Sequence, residues 1–456
     1  MKRFKEIIIK PHIVLQKAGY DKRSDYPLII NYALKVIKKH DIQHENELLS
    51  LINEKFAGSS TGRKCEKTSK QIKYFGIPGK DFDSEAIDQM KTVMRLPVAC
   101  QGALMPDAHK GYSMPIGGVV SLDSSISPAF IGFDIGCQMA LTILQDISPE
   151  DVKIQKRYLL NSLLNVTHFG KGNVSFADGP RDHAVMENPL WNEIKLLKKI
   201  KQDAYVQLGS SGKGNHFVDI VIGKMTKKVS WLPLDKGSSF VGILSHSGSG
   251  KIGQGVAAYY MKIAETEVSK IAKGIPKGYE WLSYDKDSGK EYFAAMNLMG
   301  KYARANHILI HKHFMKQIGG HPLIQIKDYH NFAWKQANGT FIHRKGATPA
   351  DIKTPGLILG TSATPSYLTE GLGNRDSLSS SSHGAGRILS RKKAKAAYDK
   401  EAVKKAYKEA DVLTYGVADD ENPYAYKDIS HVMNLQENIL VHTIAIMKPS
   451  IVVMGG

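Results

Sequence analysis

The chemistry-bearing residues of this chain gather in turn-rich stretches. His216 lies in GKGNHF, His246 in SHSGSG, His330 in DYHNFAW and His383 in SSSSHGAGR. Asp134 and Cys137 stand close together in DIGC. A carboxylate, a thiolate and several imidazoles combine hard, soft and borderline donors. Such a set suits Mn²⁺, Zn²⁺ or Fe²⁺ better than Mg²⁺. One thiolate can also bridge two metals. The chain has 17 histidines, so most must be structural or simply exposed. For any one of them, packing or capping a turn is the better reading. For this set of donors, each beside glycine or a turn, a metal site is the better reading.

The segments that must carry these residues alternate short apolar runs with glycine-rich turns. MPDAHKGYSMPIGGVVSL and FIGFDIGCQMALTIL are followed by LGSSGKGNHFVDIVIG, VGILSHSGSGKIG and PGLILGTSATPSYL. They read as strands ending in tight loops, where sites are usually built. GSSGKGNHF and HSGSGKIG also present consecutive amides near hydroxyls and lysines, a pattern that makes anion nests. Long helices are expected over roughly 253–274 and 291–317. Asp83 or Ser84 can cap a helix carrying Ile87, Met90 and Met94. A basic helix is expected at about 391–410, its lysines mainly a solvated face.

Residues 1–57 read as a small α/β piece. Ile29, Ile30, Ala33, Leu34 and Ile37 recur at helical spacing, and Leu48, Leu49, Leu51 and Ile52 suggest a second helix. The stretch 58–73, GSSTGRKCEKTSKQIK, is polar, basic and rich in breakers, so it reads as a linker or mobile loop. No internal repeat and no GxxxxGK[ST] phosphate loop is found.

The whole chain has 456 residues, with 62 Lys plus Arg against 44 Asp plus Glu, a formal charge of +18. That length allows two or three units, or one large α/β body. The excess charge favours capture of polyanions, nucleic acid first. Three cysteines, Cys65, Cys100 and Cys137, form no disulfide framework. Ile7 to Ile9 are too short an apolar run for a signal peptide. No stretch approaches the roughly 20 apolar residues of a membrane helix. A cytoplasmic protein with no membrane partner is expected.

From about Leu104 to its C-terminus the chain resembles the RtcB family of RNA-splicing ligases. The resemblance rests on PDAHKG, PIGG, GFDIGC, LGSSGKGNHF, HSGSG, YHNFAWK, HRKGA, SYLTEG, SHGAGR, LSR and AYKDI, in that order. It implies the family's own mixed α/β fold, an α+β class. The expected organisation is an N-terminal extension and basic linker over 1–75 and a single catalytic body over 76–456.

The resemblance also implies an activity. The family joins RNA 3′-phosphate or 2′,3′-cyclic phosphate ends to 5′-hydroxyl ends, using GTP and two Mn²⁺ ions through a histidine–GMP adduct. An archease-like activator is a partner often found with it. By position, the nucleophile is His383. The metal ligands are Asp134, Cys137, His216, His246 and His330, with Cys137 bridging. Nucleotide contacts map to Asn215, Asp219, Thr361, Ser366, Ala385, Gly386 and Tyr426, and RNA contacts to Asp107, Lys251, Arg387 and Arg391.

Four positions depart from the family's pattern. Gly250, followed by Lys251, stands where an Arg is usual. Asp219 replaces a Glu, Thr361 a Ser, and Met454 a Lys. A divergent paralogue is therefore expected. Two rival readings are a phosphohydrolase or nucleotidyltransferase that does not ligate, and a non-catalytic binder of RNA ends. Retention of His383 and all the metal donors argues against the second.

Overall fold

The computed structural model describes residues 11–17, 26–39, 42, 45–56, 71–170, 176, 179–212 and 214–455. Ile7 to Ile9, Cys65, Lys213 and most of the expected linker lie outside these residues.

The chain begins with α1 (Pro11–Lys17), α2 (Tyr26–Lys39) and α3 (Glu45–Phe56), then β1 (Ile72–Tyr74) and α4 (Ser84–Met94). β2 (Ala99–His109), β3 (Ile116–Asp123), β4 (Ser125–Ile126), α5 (Pro128–Ile131) and β5 (Gln138–Leu144) follow. Helices α6 (Pro149–Ile154), α7 (Lys156–Val166), α8 (Leu190–Glu193) and α9 (Lys195–Gln207) lead to β6 (Phe217–Met225) and β7 (Ser239–Ser247). Then come α10 (Gly250–Ile271), β8 (Leu282–Ser283) and the long α11 (Asp287–Ile318). Strands β9 (Pro322–Tyr329), β10 (Asn331–Lys335), β11 (Thr340–Lys345), β12 (Ala347–Pro349), β13 (Pro355–Ile358), β14 (Ser366–Gly371) and β15 (Ser380–Ser382) complete most of the sheet structure. The chain closes with α12 (Arg391–Ala396), α13 (Lys400–Glu409), β16 (Leu413–Tyr415), α14 (Ile429–Asn434) and β17 (Val441–Met454).

Two large sheets organise the body, which is mixed α+β as expected. One runs β1-β2-β3-β11-β10, and the other β13-β14-β17-β6-β7-β5-β9 with β16 added beside β17. Strand β5 shows why the second sheet is central. Its sequence QMALTIL is buried at every position, as a strand covered on both faces should be. Met139, Leu141 and Ile143 join one apolar cluster, while Leu144 joins another with Val218, Ile220 and Ile310. The second cluster lies under α7 and α11.

The expected helices over 253–274 and 291–317 are α10 and α11, shifted by a few residues. The C-terminus of α11 is set by Gly319, which takes the left-handed conformation at φ 68°. Asp83 caps α4 by accepting from the Ala86 amide, as its spacing suggests.

Three expectations need correction. The described part of 1–57 is helical, with no strand, because its apolar residues repeat at helical spacing throughout. Leu34 is 43% exposed, whereas Ile29 and Ala33 are fully buried; Leu34 faces away from the small core built on Val14, Leu15, Ile29, Leu48 and Ile52. Ile72 and Lys73, read as the end of a linker, belong to β1 and pair in parallel with Gly102 and Ala103 of β2. The basic helix is two helices. Asp399 accepts from the Glu401 and Ala402 amides and so starts a new helix where the first would have continued. Its lysines, Lys392, Lys393, Lys395, Lys404, Lys405 and Lys408, are exposed as expected.

One buried side chain ties β11 to the turn and short strand β15 that lead into His383. Arg344 on β11 is 2% exposed. Its Nε donates to Ser380 Oγ at 2.8 Å, and its Nη2 to the carbonyls of Leu378 and Ser379 at 3.0 and 3.1 Å. Leu378 and Ser379 hold positive φ values of 53° and 48°, conformations that disfavour non-glycine residues. Replacing Arg344 removes a buried guanidinium that serves three acceptors in this turn. Arg344→Met is expected to cost about 2–4 kcal/mol in urea unfolding. Arg344→Lys should recover little of it, because a point charge cannot serve a planar set of acceptors. An unchanged unfolding midpoint in Arg344→Met would refute this.

Candidate metal centre and its neighbouring histidine

Strand register brings the donors together. Met139 of β5 lies opposite His246 of β7, which also lies opposite Phe217 of β6. Gln138 of β5 faces Tyr329 of β9. Residues that begin or end these neighbouring strands therefore meet at one edge: Cys137 before β5, His216 before β6, His246 within β7, and His330 after β9. The His330 amide donates to the Cys137 carbonyl at 3.0 Å, locking two of these turns to each other.

The turn carrying Asp134 and Cys137 needs its glycines. Gly136 has φ 72°, and a Cβ there would lie 2.7 Å from the Gly300 Cα of α11. At Gly248 a Cβ would lie 2.2 Å from Asp134 Oδ1. Any side chain there would displace the carboxylate.

The heteroatoms converge on Cys137. Its Sγ is 3.1 Å from His246 Nε2 and 3.5 Å from His216 Nε2. His246 Nε2 is 3.2 Å from His330 Nε2, and His216 Nε2 is 2.9 Å from Asp134 Oδ2. Two donor triplets result, Cys137–His246–His330 and Asp134–Cys137–His216, and Cys137 belongs to both. All five predicted donors (Asp134, Cys137, His216, His246 and His330) thus meet in one place.

Proton counting explains what this cluster is suited to. His246 Nδ1 lies 3.0 Å from the Asn215 carbonyl. A carbonyl only accepts, so Nδ1 carries the proton and Nε2 carries a lone pair. That lone pair points at a thiol and at another imidazole nitrogen. A divalent cation in each triplet would satisfy these donors together. Bonds of about 2.1–2.3 Å in a tetrahedral shell place ligand atoms about 3.4–3.7 Å apart, within a few tenths of an ångström of the separations here. Burial pushes the imidazoles of His246 and His330 well below their ordinary range, which keeps them neutral. Burial, reinforced by the Asp134 charge, pushes the Cys137 thiol well up. A coordinated cation reverses that last effect, since a ligating thiol is deprotonated. The residues present fit a divalent transition metal.

Behind the cluster runs a hydrogen-bonded chain that the sequence reading missed. Strand β7 alternates, so Ser245 and Ser247 face α11 while His246 faces the donors. His307 Nε2 lies 3.2 Å from the Ser247 carbonyl and must donate to it. His307 Nδ1 then accepts from Ser245 Oγ at 2.6 Å. Ser245 Oγ accepts from His311 Nε2 at 2.7 Å, and His311 Nδ1 accepts from Thr142 Oγ1 at 2.7 Å. One carbonyl thus fixes every proton in the chain, with both rings neutral. Burial supports this, pushing His307 down to about 3 and His311 well below the usual histidine range. Asn306 adds bonds to the Gly209 amide and the Gly248 carbonyl at 2.9 and 3.1 Å. The available signal was the spacing of His307 and His311, which puts both on one helical face.

His383 sits beside the cluster, its ring centroid 5.1 Å from that of His330. Asp107 orients it. Asp107 Oδ2 lies 2.6 Å from His383 Nδ1 and accepts the His383 and Gly384 amides at 3.1 and 3.3 Å. Burial works against the charge on Asp107, but the His383 ring together with His109 and Lys427 outweighs it and holds the carboxyl below its ordinary value. With Nδ1–H given to Asp107, His383 Nε2 keeps its lone pair. The expectation that Asp107 touches RNA is corrected: it is fully buried and bonded to His383. The signal for its true role, a carboxylate in PDAHKG, was present without its partner.

The remaining expected residues are placed as follows. Asn215 supplies the carbonyl that holds His246. Asp219 is buried on β6; burial pushes its carboxyl well up, and Oδ1 has no hydrogen-bond partner among the described residues. Thr361 and Ser366 shape a turn in which Gly360 N donates to Ser366 Oγ and Thr361 N to Thr364 Oγ1, at 3.1 and 2.7 Å. Ala385 is buried and Gly386 packs on the Asp107 backbone. The Tyr426 hydroxyl bonds Glu421, and Arg387 lies over its ring at 5.1 Å.

The expected basic groove of Arg387 and Arg391 is not a free positive surface. Arg387 pairs with Glu421 at 3.3 Å and donates to the Asp420 carbonyl. Arg391 pairs with Asp420 at 2.7 Å and also with Glu421. Lys251 is exposed at the start of α10.

Two outcomes follow for metal content measured by elemental analysis after dialysis. Cys137→Ala should lose bound divalent metal, while Cys65→Ala keeps it. His307→Phe should weaken metal affinity about 10–100-fold, the usual effect of removing a partner behind a ligand, with the overall fold retained by circular dichroism. Wild-type metal affinity in His307→Phe would show that the chain behind β7 is only structural.

Comparison with known proteins agrees with this geometry. A family model described as tRNA-splicing ligase RtcB matches residues 89–455. RNA-splicing ligase RtcB of Escherichia coli (strain K12) is 28% identical over 412 residues, covering 83% of this chain and 96% of that protein. tRNA-splicing ligase RtcB of Thermococcus kodakarensis is 27% identical over 460 residues, covering 83% and 95%. The corresponding protein of Methanococcus maripaludis is 28% identical over 449 residues, covering 82% and 92%. The matched span contains every metal donor, His383 and Asp107, and the chain belongs to the RtcB family.

Proposed function

We propose that the protein is an RNA ligase joining 3′-phosphate or 2′,3′-cyclic phosphate ends to 5′-hydroxyl ends, with GTP as nucleotide and two Mn²⁺ ions in the Cys137 cluster. The observation that carries this reading is His383, held by buried Asp107 with Nε2 free, beside two donor triplets that share one thiol. RNA joining is named in the matched relatives, and the +18 charge suits a polyanionic substrate.

Bound cations would supply charge neutralisation at the phosphates during attack. The chain's own residues account for the rest. His383 Nε2 attacks the α-phosphorus of GTP; a P–N bond forms and pyrophosphate leaves. As the ring gains positive charge, Asp107 stabilises it through Nδ1–H. The GMP passes from His383 to an RNA 3′-phosphate, which regenerates the imidazole. A 5′-hydroxyl then attacks that activated phosphate and GMP departs. A cyclic end is first hydrolysed to the 3′-phosphate.

In this reading Asn215, Asp219, Thr361, Ser366, Ala385, Gly386 and Tyr426 form the guanylate pocket. Lys251 and the exposed edge of Arg391 meet RNA. The division into an extension over 1–75 and a catalytic body over 76–456, a cytoplasmic location and an archease-like activator belong to the same proposal. No helix among the described residues is long and apolar enough to cross a membrane. A non-catalytic RNA binder is disfavoured, because binding alone has no use for an imidazole oriented by a buried carboxylate.

The test uses α-labelled GTP, and separately ATP, with Mn²⁺. Acid-labile label should stay on the wild-type protein with GTP. His383→Ala should lose both the label and RNA joining, yet still seal RNA already activated as RNA–pp–G. Asp107→Asn should slow labelling on the order of 10²-fold or more, by removing the group that fixes the ring's tautomer. Near-normal joining by His383→Ala would end the proposal.

A further inference from the structure

Two aromatic rings stand in solvent beside the metal donors. Tyr112 is 58% exposed and Phe133 is 40% exposed, with ring centroids 5.7 Å apart and planes tilted by 57°. They hang from the two segments that build the site. Phe133 immediately precedes the donor Asp134. Tyr112 lies on the turn after β2, the strand that carries Asp107.

Both turns are held rigid. Gln89 clamps Gly111 from both sides, accepting its amide and donating to its carbonyl, each at 2.9 Å. On the other side of Tyr112, Ser113 accepts from the Tyr279 hydroxyl at 2.8 Å and donates to the Ala129 carbonyl at 3.2 Å. The Phe133 turn is anchored by the Gly132 amide to the Pro128 carbonyl at 3.0 Å and by the Gly136 amide to the Asn331 carbonyl at 2.9 Å. The backbone is thus fixed by specific bonds while the rings are left uncovered. Preorganised, uncovered aromatic faces lower the ordering cost of binding a flat partner.

The surrounding charge indicates which flat partner. The Gly250 amide donates to Asp134 Oδ1 at 3.3 Å, which brings the start of α10, with exposed Lys251 next in sequence, to the turn that carries Phe133. Tyr112 packs on Gly278, and exposed Lys277 adjoins it; the acid nearby, Glu280, accepts the Gly278 amide at 2.7 Å. Aromatic faces interleaved with cations are the recurrent means of holding an unpaired nucleobase and its phosphate.

We propose that Tyr112 and Phe133 form a stacking platform for the unpaired terminal base of the RNA strand whose phosphate reaches the Asp134–Cys137 cluster. The proposal rests on the RNA-ligase reading and adds a substrate requirement to it: the end must be single-stranded, with its last base free to stack. The base lies on the open face of Tyr112, and Phe133 buttresses it beside the metal donors.

The test uses the full chain with Mn²⁺ and no GTP. The probe is a single-stranded RNA bearing 2-aminopurine at its 3′-phosphate end, then one bearing it at its 5′-hydroxyl end. Stacking should quench the fluorophore at the 3′-phosphate end, and not at the 5′-hydroxyl end, on binding to wild type and to Tyr112→Phe, and much less on binding to Tyr112→Ala. Affinity for that RNA should fall on the order of 10-fold in Tyr112→Ala, as expected for losing one stacked base. An abasic residue at the same end should weaken wild-type binding by a similar factor and leave Tyr112→Ala unaffected. Tyr112 carries the test because Phe133 adjoins a metal donor, and Tyr158→Ala, an exposed ring on α7, serves as control.

Equal abasic penalties in wild type and Tyr112→Ala would overturn the platform. So would Tyr112→Ala that binds RNA normally but no longer associates with a protein activator, which would make the patch a protein interface. Those results leave RNA joining by the wild type intact. A wild-type chain that binds neither RNA end would instead overturn the RNA-ligase reading, and the platform with it.

Discussion

The structure turns on the Cys137 thiol, which lies within 3.5 Å of two imidazole nitrogens from different strands and belongs to both donor triplets. Burying a thiol and three imidazoles against a part-buried carboxylate is unfavourable unless something satisfies their lone pairs. His246 has already given its proton to the Asn215 carbonyl, so its Nε2 lone pair is left facing the Cys137 thiol and the His330 ring. A divalent cation held by these donors would satisfy them together. The glycines at 136 and 248, and the bond from the His330 amide to the Cys137 carbonyl, all serve that convergence.

Two orienting devices support the site from behind. The chain from Thr142 through His311, Ser245 and His307 fixes β7 on either side of His246, with its proton order set by a single carbonyl. Asp107 does the equivalent for His383, using one oxygen to hold the ring nitrogen and two amides. The Asn215 carbonyl and Asp107 each leave one Nε2 lone pair free, on His246 toward the Cys137 cluster and on His383 beside it. In the proposed reaction, metal ligation and nucleophilic attack draw on separate histidines, so the nucleophile need not leave a metal to act.

The sequence made the donors legible because each lies where an apolar run meets a glycine-rich turn, and the α+β class came with the family resemblance that those turns carry. What it hid was set by contacts between distant segments. Asp107 was visible as a carboxylate, but only the meeting of β2 with β15 shows that it faces His383 and not RNA. Arg387 and Arg391 looked like free cations because their neutralising partners, Asp420 and Glu421, come from a later segment. His307 and His311 were lost among 17 histidines, although their spacing placed them on one helical face. Local features were more accessible. The break between α12 and α13 could have been read from Asp399 as a helix cap, and the exposure of Leu34 from its position off the Ile29–Ala33 face.

The central claim is that one thiolate joins two cations. Electron paramagnetic resonance of the Mn²⁺-loaded protein tests it most directly. Two ions sharing a thiolate at about 4 Å, the spacing of two-metal sites, should give a spin-coupled dinuclear signal. Cys137→Ser, which keeps a small polar side chain without a thiolate, should lose that coupling. A wild-type spectrum of isolated Mn²⁺ at every loading, or full coupling surviving in Cys137→Ser, would contradict the account.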